Sequence, residues 1–329
     1  MIKEKDFNKL YQKLQNRVES VLKSSLKGRL PLSLYEPAAF ILNSPGKRLR
    51  PFLVLISAKG VGSDYSKVIN AAAAVEILHN FTLVHDDIMD NADKRRGRLT
   101  VHKKYDLSTA ILVGDILASV AYELLLKDAK ENSKMVVSTF NRGVAEVCEG
   151  QGLDKEFETA KKVSMEQYIE MISKKTAALA EMCCSVGAQI GGGTKEEIKI
   201  LSNYGKYLGI AFQIQDDLLD ITADEKDFGK IIGGDLIEGK KTFLFIKAFE
   251  KAKGIRKKEL LKVVQNKGIN PVDVNYYRNI YIELGVLDDA MNEIKRYTQL
   301  ALKGIKKLKN EEYRQVFEIL ANLLIKRSK

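Results

Sequence analysis

The sequence predicts an all-α protein, a single large helical bundle over residues 1–329, on three observations. Four of the five prolines (Pro31, Pro37, Pro45, Pro51) precede residue 52 and the fifth is Pro271. From Phe52 to Asn270, therefore, nothing imposes the roughly 3 kcal/mol that an interior proline costs a helix. Long apolar segments recur there with helical period, and alternating β-branched runs and Asn-Gly hairpin turns are missing.

The elements follow in chain order. MIKEKDFNKLYQKLQNRVESVLK lacks the apolar core of a signal peptide and reads as an amphipathic helix. AAAAVEILHNFTLVHDDIMD, STAILVGDILASVAYELLL, SKMVVSTFNRGVAEVCEGQ and NYGKYLGIAFQIQDDLLD are helical in length and period. Breaks fall at VGSD, at Gly191-Gly192-Gly193 and in TADEKDFGKIIGGDLIEGK. The longest apolar run, Leu107 to Leu126, contains Asp115 and Glu123, which favours a buried helix over a membrane span. No stable membrane insertion is expected. The segment from Ala223 to Gly239 has few apolar anchors and is expected to be mobile without ligand, closing over substrates.

Composition narrows the function classes. Hydrophobic residues make up 45% and charged residues 29%, as in a globular protein with a large core. Cys148, Cys183 and Cys184 give no even disulfide framework, so reduced thiols and a cytoplasmic location are expected. The net charge of +11 suggests an anionic partner. Its lysines are interleaved with glutamates, however, and no zinc-finger, helix-turn-helix or RRM pattern appears, so nucleic acid is not the expected ligand.

The chemistry lies in LVHDDIMDNADKRRGRLT, Leu83 to Thr100. Asp86 and Asp90 share a helix face, an arrangement that disfavours a helix by roughly 0.2–0.5 kcal/mol per like-charged pair. A divalent cation would offset it. The spacing recurs in QIQDDLLD as Asp216, Asp217 and Asp220. A single Asp-Asp-x-x-Asp is often a solvated patch. Two copies, each ending an apolar helix, point to a shared site for Mg²⁺, which takes carboxylates, waters and substrate phosphates. Cations alternate with these carboxylates: Lys47, Arg48 and Arg50 in GKRLRP, then Arg95 and Arg96, Lys175 beside Thr176, and Lys230, Lys240 and Lys241. Arginine forks and lysine ammonium groups suit phosphate oxygens. The Glu-x-x-His spacing of Glu76 and His79 lacks the second copy that a di-iron bundle needs. His85 reads as a packed helix residue and His102 as a surface or capping residue.

With GKRLRP, LVHDDIMDNADKRRG and FQIQDDLLD…GKIIGGDLIEGKKT in place, the chain resembles the trans-isoprenyl diphosphate synthases, in particular the archaeal short-chain geranylgeranyl or farnesyl type. The resemblance runs from GKRLRP to the C-terminal LANLLIKRSK. It implies the type I isoprenoid synthase fold, a helical bundle around a deep apolar cavity, and a homodimer. It implies three Mg²⁺ ions on the allylic diphosphate, held by Asp86, Asp87, Asp90, Asp216 and Asp220. Arg95, Lys175, Lys230 and Lys240 would contact that diphosphate. Lys47, Arg50, His79 and Arg96 would bind isopentenyl diphosphate, and Thr176, Gln213 and Asp217 would line the reacting centre. The implied substrates are isopentenyl diphosphate with dimethylallyl, geranyl or farnesyl diphosphate.

The leaving diphosphate needs charge neutralisation, and the allylic cation must be kept from water. No Ser/His/Asp or Cys/His arrangement suggests a dedicated base. Phe81, five residues before Asp86, is expected to form the cavity floor, with Leu78 one turn below and Thr82 beside it. An aromatic there, with no insertion in the first motif, marks the archaeal geranylgeranyl type within the family. A farnesyl or mixed fifteen- and twenty-carbon producer is the alternative. A terpene cyclase would need no isopentenyl site, and a non-catalytic partner subunit should have lost motif aspartates; GKRLRP and both motifs are intact.

Overall fold

Long helices carry the proline-free stretch in the computed structural model, which describes residues 4–223 and 232–326. In order they are α1 (Glu4–Ser25), α2 (Leu32–Leu42), α3 (Leu49–Gly60), α4 (Ile69–Met89), α5 (Val101–Lys104), α6 (Leu107–Ala129) and α7 (Ser133–Thr159). Then come α8 (Met165–Ile172), a π-helical turn at Ser173–Ala177, α9 (Ala178–Ile190), α10 (Lys195–Thr222) and the short α11 (Gly234–Ile237). The remainder are α12 (Phe243–Lys251), α13 (Gly254–Asn266), α14 (Val274–Glu283), α15 (Val286–Ile305) and α16 (Glu311–Lys326). The all-α expectation holds.

One small departure is a ribbon of β1 (Lys94–Arg95) and β2 (Arg98–Leu99), paired antiparallel. Arg96 and Gly97 form its two-residue turn, both at positive φ (53° and 76°). That is the signature of a primed hairpin turn, whose twist matches the strands it joins. The alternation needed to foresee it is only two residues long on each side.

Capping explains several helix starts. Asp106 accepts from the Thr109 amide at 2.9 Å to open α6. Ser164 and Gln167 form a reciprocal capping box at the head of α8.

The chain divides into two compact units. One takes in the chain up to Asn141 with Met182–Ser202 and Lys307–Val316; the other takes in Arg142–Glu181, Asn203–Lys306 and the chain from Phe317. In the first, Ala71 to Ala74, Val75 and Ile77 of α4 are fully buried. Consecutive alanines leave little bulk around the helix axis, so neighbouring helices approach closely. Phe7, Leu14, Val18 and Leu22 bury one face of α1. On α6, Ala110, Val113, Leu117, Val120, Leu124 and Leu125 are buried, so this apolar helix spends one side on the core. By length and hydropathy the stretch Leu107–Thr159 would suffice to cross a membrane. The second unit is built around Tyr168, Ile172, Ile210, Ile214, Leu218, Phe243 and Ile280, all buried.

Candidate active site

In the first unit the GKRLRP loop leads into α3, and Arg48 occupies its N-cap with φ 50°. Its side chain turns inward and is almost fully buried. Nε donates to Glu19 Oε1 at 2.7 Å and Nη1 to Glu76 Oε1 at 2.7 Å. Nη2 donates to the carbonyls of Leu42 (3.0 Å) and Ser44 (2.9 Å). With four of its five N–H donors so committed and its side chain buried, of the three cations in this motif Arg48 is the structural one. Its neighbours are placed differently: Lys47 is exposed and Arg50 half-buried.

Arg50 Nη1 lies 3.1 Å from His79 Nε2. Burial, then the charges of Arg50, Arg96, Arg95 and Arg48, hold the His79 imidazole well below its usual pKa. A neutral ring accepts here from the guanidinium, so His79 orients Arg50. Arg96, at the tip of the ribbon, donates from Nη1 to the Pro45 carbonyl at 3.0 Å. Gly46 leaves room for this crowd: a Cβ on it would stand 2.9 Å from Arg96 Nη1 and 3.1 Å from Arg48 Nη1. Arg50, the neutral His79 and Arg96 are thus brought to the loop that carries the exposed Lys47, and cations so placed suit a diphosphate.

The first aspartate motif ends α4. Asp86 is half-buried, and Asp90, at the C-cap, is exposed. Asp87 points inward at 2% exposure and accepts from Arg95 Nε at 2.7 Å. Burial raises its pKa against the pull of Arg95. A helix C-terminus carries partial negative charge of its own, so Asp86 and Asp90 sit where a cation is most favoured. One turn deeper, the half-buried Phe81 ring meets the His85 ring edge-on, 4.9 Å between centroids, with Leu78 fully buried below. Thr82 Oγ1 donates to the His79 carbonyl at 2.9 Å. His102 differs from expectation. Both of its ring nitrogens are buried without a hydrogen-bond partner among the described residues, and Thr100 holds the N-cap position of α5.

In the second unit a pocket of about 140 Å³ is lined by Lys175, Thr176, Gln213, Asp217, Asp235 and Lys240, with Tyr168, Met171 and Ile172 on its apolar side. Lys175 and Thr176 stand on the π-helical turn, a local irregularity often found at functional sites. Thr176 Oγ1 donates to Gln213 Oε1 at 2.8 Å, and Gln213 Nε2 donates to Asp217 Oδ1 at 3.0 Å. Asp217 Oδ2 accepts from the Tyr168 hydroxyl at 2.5 Å and from the Phe243 amide at 3.1 Å. Burial and the nearby Asp235 carboxylate push Asp217 up to about 7. The two motifs therefore repeat more than their spacing. In both, the middle aspartate is buried and held by protein donors, because it lies about 100° around the helix from the first.

A scan against protein-family models matches residues 31–281 to the polyprenyl synthetase family. The chain belongs to the polyprenyl synthetase family. It is a prenyltransferase by that membership. Geranylgeranyl diphosphate synthase of Sulfolobus acidocaldarius is 39% identical to it, over 98% of this chain and 99% of that one. Geranylgeranyl pyrophosphate synthetase from Pyrococcus horikoshii superposes with a TM-score of 0.89 at 37% identity, covering 98% of each chain. Polyprenyl synthase from Caulobacter crescentus, solved in complex with calcium and isoprenyl diphosphate, has a TM-score of 0.89 at 27% identity, covering 98% of this chain and 97% of that one.

The family uses a divalent metal, and the donor set here fits a hard one. Among the described residues no three His, Cys, Asp or Glu side chains gather as a closed cage. Mg²⁺ does not need one, since it keeps waters and takes remaining ligands from substrate phosphates. Open pairs such as Asp86 with Asp90 meet that requirement. Asp220 Oδ2 accepts from the Asp235 amide at 3.2 Å, tying the second motif to α11.

Sequence reasoning missed several participants of this prenyltransferase. Asp154 pairs with Lys175 at 2.5 Å, Glu238 with Lys240 at 2.6 Å, and Tyr168 holds Asp217. Tyr168 and Asp154 carry no signal, since each reads as an ordinary helix residue. Asp235 had one: an acid set between glycines and lysines in GGDLIEGKK. Lys241 turns to the Phe157 carbonyl at 2.8 Å. Lys230 lies outside the described residues, as does much of the segment expected to be mobile.

Proposed function

We propose that this prenyltransferase is a geranylgeranyl diphosphate synthase. It condenses isopentenyl diphosphate head-to-tail with dimethylallyl, geranyl and farnesyl diphosphates. One observation carries the reading: the Phe81 ring braced by His85 above fully buried Leu78, directly below an uninterrupted DDIMD. That arrangement suits a floor that stops the chain at twenty carbons, with Thr82 alongside. The archaeal relatives support the product.

Lys47, Arg50 and Arg96 bind the isopentenyl diphosphate, with His79 fixing Arg50. Arg95, Lys175, Lys230 and Lys240 bind the allylic diphosphate. Asp86 with Asp90, and Asp216 with Asp220, would hold Mg²⁺, three ions in all, which when bound would supply the charge neutralisation that makes diphosphate a leaving group. Asp87 fixes Arg95, and Asp217 with Gln213 fixes Thr176 at the reacting centre. The allylic C–O bond breaks with its electron pair leaving on diphosphate. The isopentenyl double bond then forms the new C–C bond, and the proton lost from the adjacent carbon passes to the departed diphosphate. An apolar cavity keeps the allylic cation from water.

The family match spans segments of both units, which supports their working as one synthase domain. We read the protein as cytoplasmic, in keeping with three cysteines that give no even disulfide framework. Leu107, Ile111, Leu112 and Leu126 leave α6 with an exposed apolar side, which supports burial in a homodimer. Sedimentation equilibrium as a monomer at micromolar concentration would remove that part of the reading.

Turnover with isopentenyl diphosphate, Mg²⁺ and each starter, with dephosphorylated products sized by chromatography, tests the whole. A twenty-carbon product from all three starters is expected. Arrest at fifteen carbons with farnesyl diphosphate refused makes the protein a farnesyl synthase. No condensation by folded protein favours a non-catalytic subunit.

A further inference from the structure

Helix α1 precedes the family match, and one of its faces meets the GKRLRP loop residue by residue. Tyr11, Gln15 and Glu19 are four apart and therefore stack along that face. The Tyr11 hydroxyl donates to the Lys47 carbonyl, Gln15 Nε2 donates to the Gly46 carbonyl at 3.0 Å, and Glu19 Oε1 accepts from Arg48 Nε at 2.7 Å. Three successive loop residues are thus held by three successive turns of one helix. The grip does not fasten the helix itself, because Phe7, Leu14, Val18 and Leu22 bury the neighbouring face of α1.

We propose that α1 is a positioning element for the isopentenyl diphosphate site, with Tyr11 and Gln15 fixing the backbone that presents Lys47 and Arg50. The physical need is visible in the loop. Arg48 sits at φ 50°, a conformation that non-glycine residues adopt at a cost, and the loop must turn one basic side chain inward while its neighbours reach substrate. The Gly46 and Lys47 carbonyls are the backbone handles immediately before that reversal, and α1 holds both. Without those two bonds the loop keeps Arg48 as an anchor but loses the register that aims Lys47 and Arg50. This inference rests on the assignment of Lys47 and Arg50 to isopentenyl diphosphate.

The test is steady-state kinetics on full-length Tyr11→Phe, Gln15→Met and the double variant. Phenylalanine keeps the Tyr11 ring packed on Phe52, at 4.7 Å between centroids, so only the hydroxyl is removed. Each single variant is expected to raise KM for isopentenyl diphosphate by roughly threefold to tenfold, the weight of one net hydrogen bond. The double variant should raise it further, with kcat, KM for the allylic substrate and the thermal midpoint close to wild type. An unchanged isopentenyl KM overturns the proposal. So does an equal loss in both substrates' KM together with a lowered thermal midpoint, which is how a merely structural helix would behave. Arg50→Met is the control on the underlying assignment. If it leaves KM for isopentenyl diphosphate unchanged, the assignment fails and the positioning role falls with it; if it raises KM while Tyr11→Phe/Gln15→Met does not, only the positioning role fails.

Discussion

Removing the Arg48 guanidinium should be among the most damaging single changes in the first unit. Arg48 and Glu76 have side chains 2% and 5% exposed, and their 2.7 Å contact is joined by the Glu19 carboxylate and two backbone carbonyls. Arg48→Met leaves Glu76 as a buried carboxylate without its cation, with the Leu42 and Ser44 carbonyls unpaired. Breaking a buried pair in this way costs about 3–5 kcal/mol. Glu76→Gln is milder, because Glu19 still balances the guanidinium and the amide oxygen still accepts. The loss there is the negative charge of one partner while the bond itself is kept, so the cost should fall below that of Arg48→Met. The double variant Arg48→Met/Glu76→Gln should cost less than the sum of its parts, since no charged Glu76 is then stranded. Urea unfolding followed by far-UV circular dichroism measures all three. A cost below about 1 kcal/mol for Arg48→Met, or strict additivity in the double variant, would refute the account of Arg48 as an internal anchor.

Three further outcomes follow from the site. Phe81→Ala should lengthen the main product beyond twenty carbons, read by chromatography of dephosphorylated products; an unchanged length would sink the floor assignment. Gly114→Ala should shift the product distribution without touching a motif residue, because a Cβ there would stand 2.0 Å from His85 Nε2 and force the ring that braces Phe81 to move. An identical product profile would show that His85 does not transmit. Because His79 is held well below its unfolded value near 6.5, the unfolded chain binds the extra proton first. That part of the stability is intact above about pH 6.5 and is lost as pH falls, by about 1.4 kcal/mol per unit until the folded imidazole titrates. His79→Gln, which keeps an acceptor for Arg50 but does not titrate, should flatten the dependence of thermal midpoint on pH between about 5 and 7.5. An equal slope in both proteins would contradict it.

The sequence by itself determined the helical architecture and most of the chemistry. Both depend on local spacing: proline spacing sets where long helices run, and the four-residue repeat places Asp86 with Asp90 and Asp216 with Asp220 on one face. The grouping of Thr176, Gln213 and Asp217 was legible through resemblance. The structure then supplied the hydrogen bonds that join them. Tertiary structure alone decided which of several similar residues does which task. Lys47, Arg48 and Arg50 are alike in sequence, and only the positions of Glu19, Leu42, Ser44 and Glu76 bury the middle one. Likewise nothing local in YIEM announces that Tyr168 will meet Asp217, forty-nine residues on. Helix periodicity is written within a few turns of chain, whereas the partner of a buried charge or hydroxyl is chosen by whichever distant element packs against it.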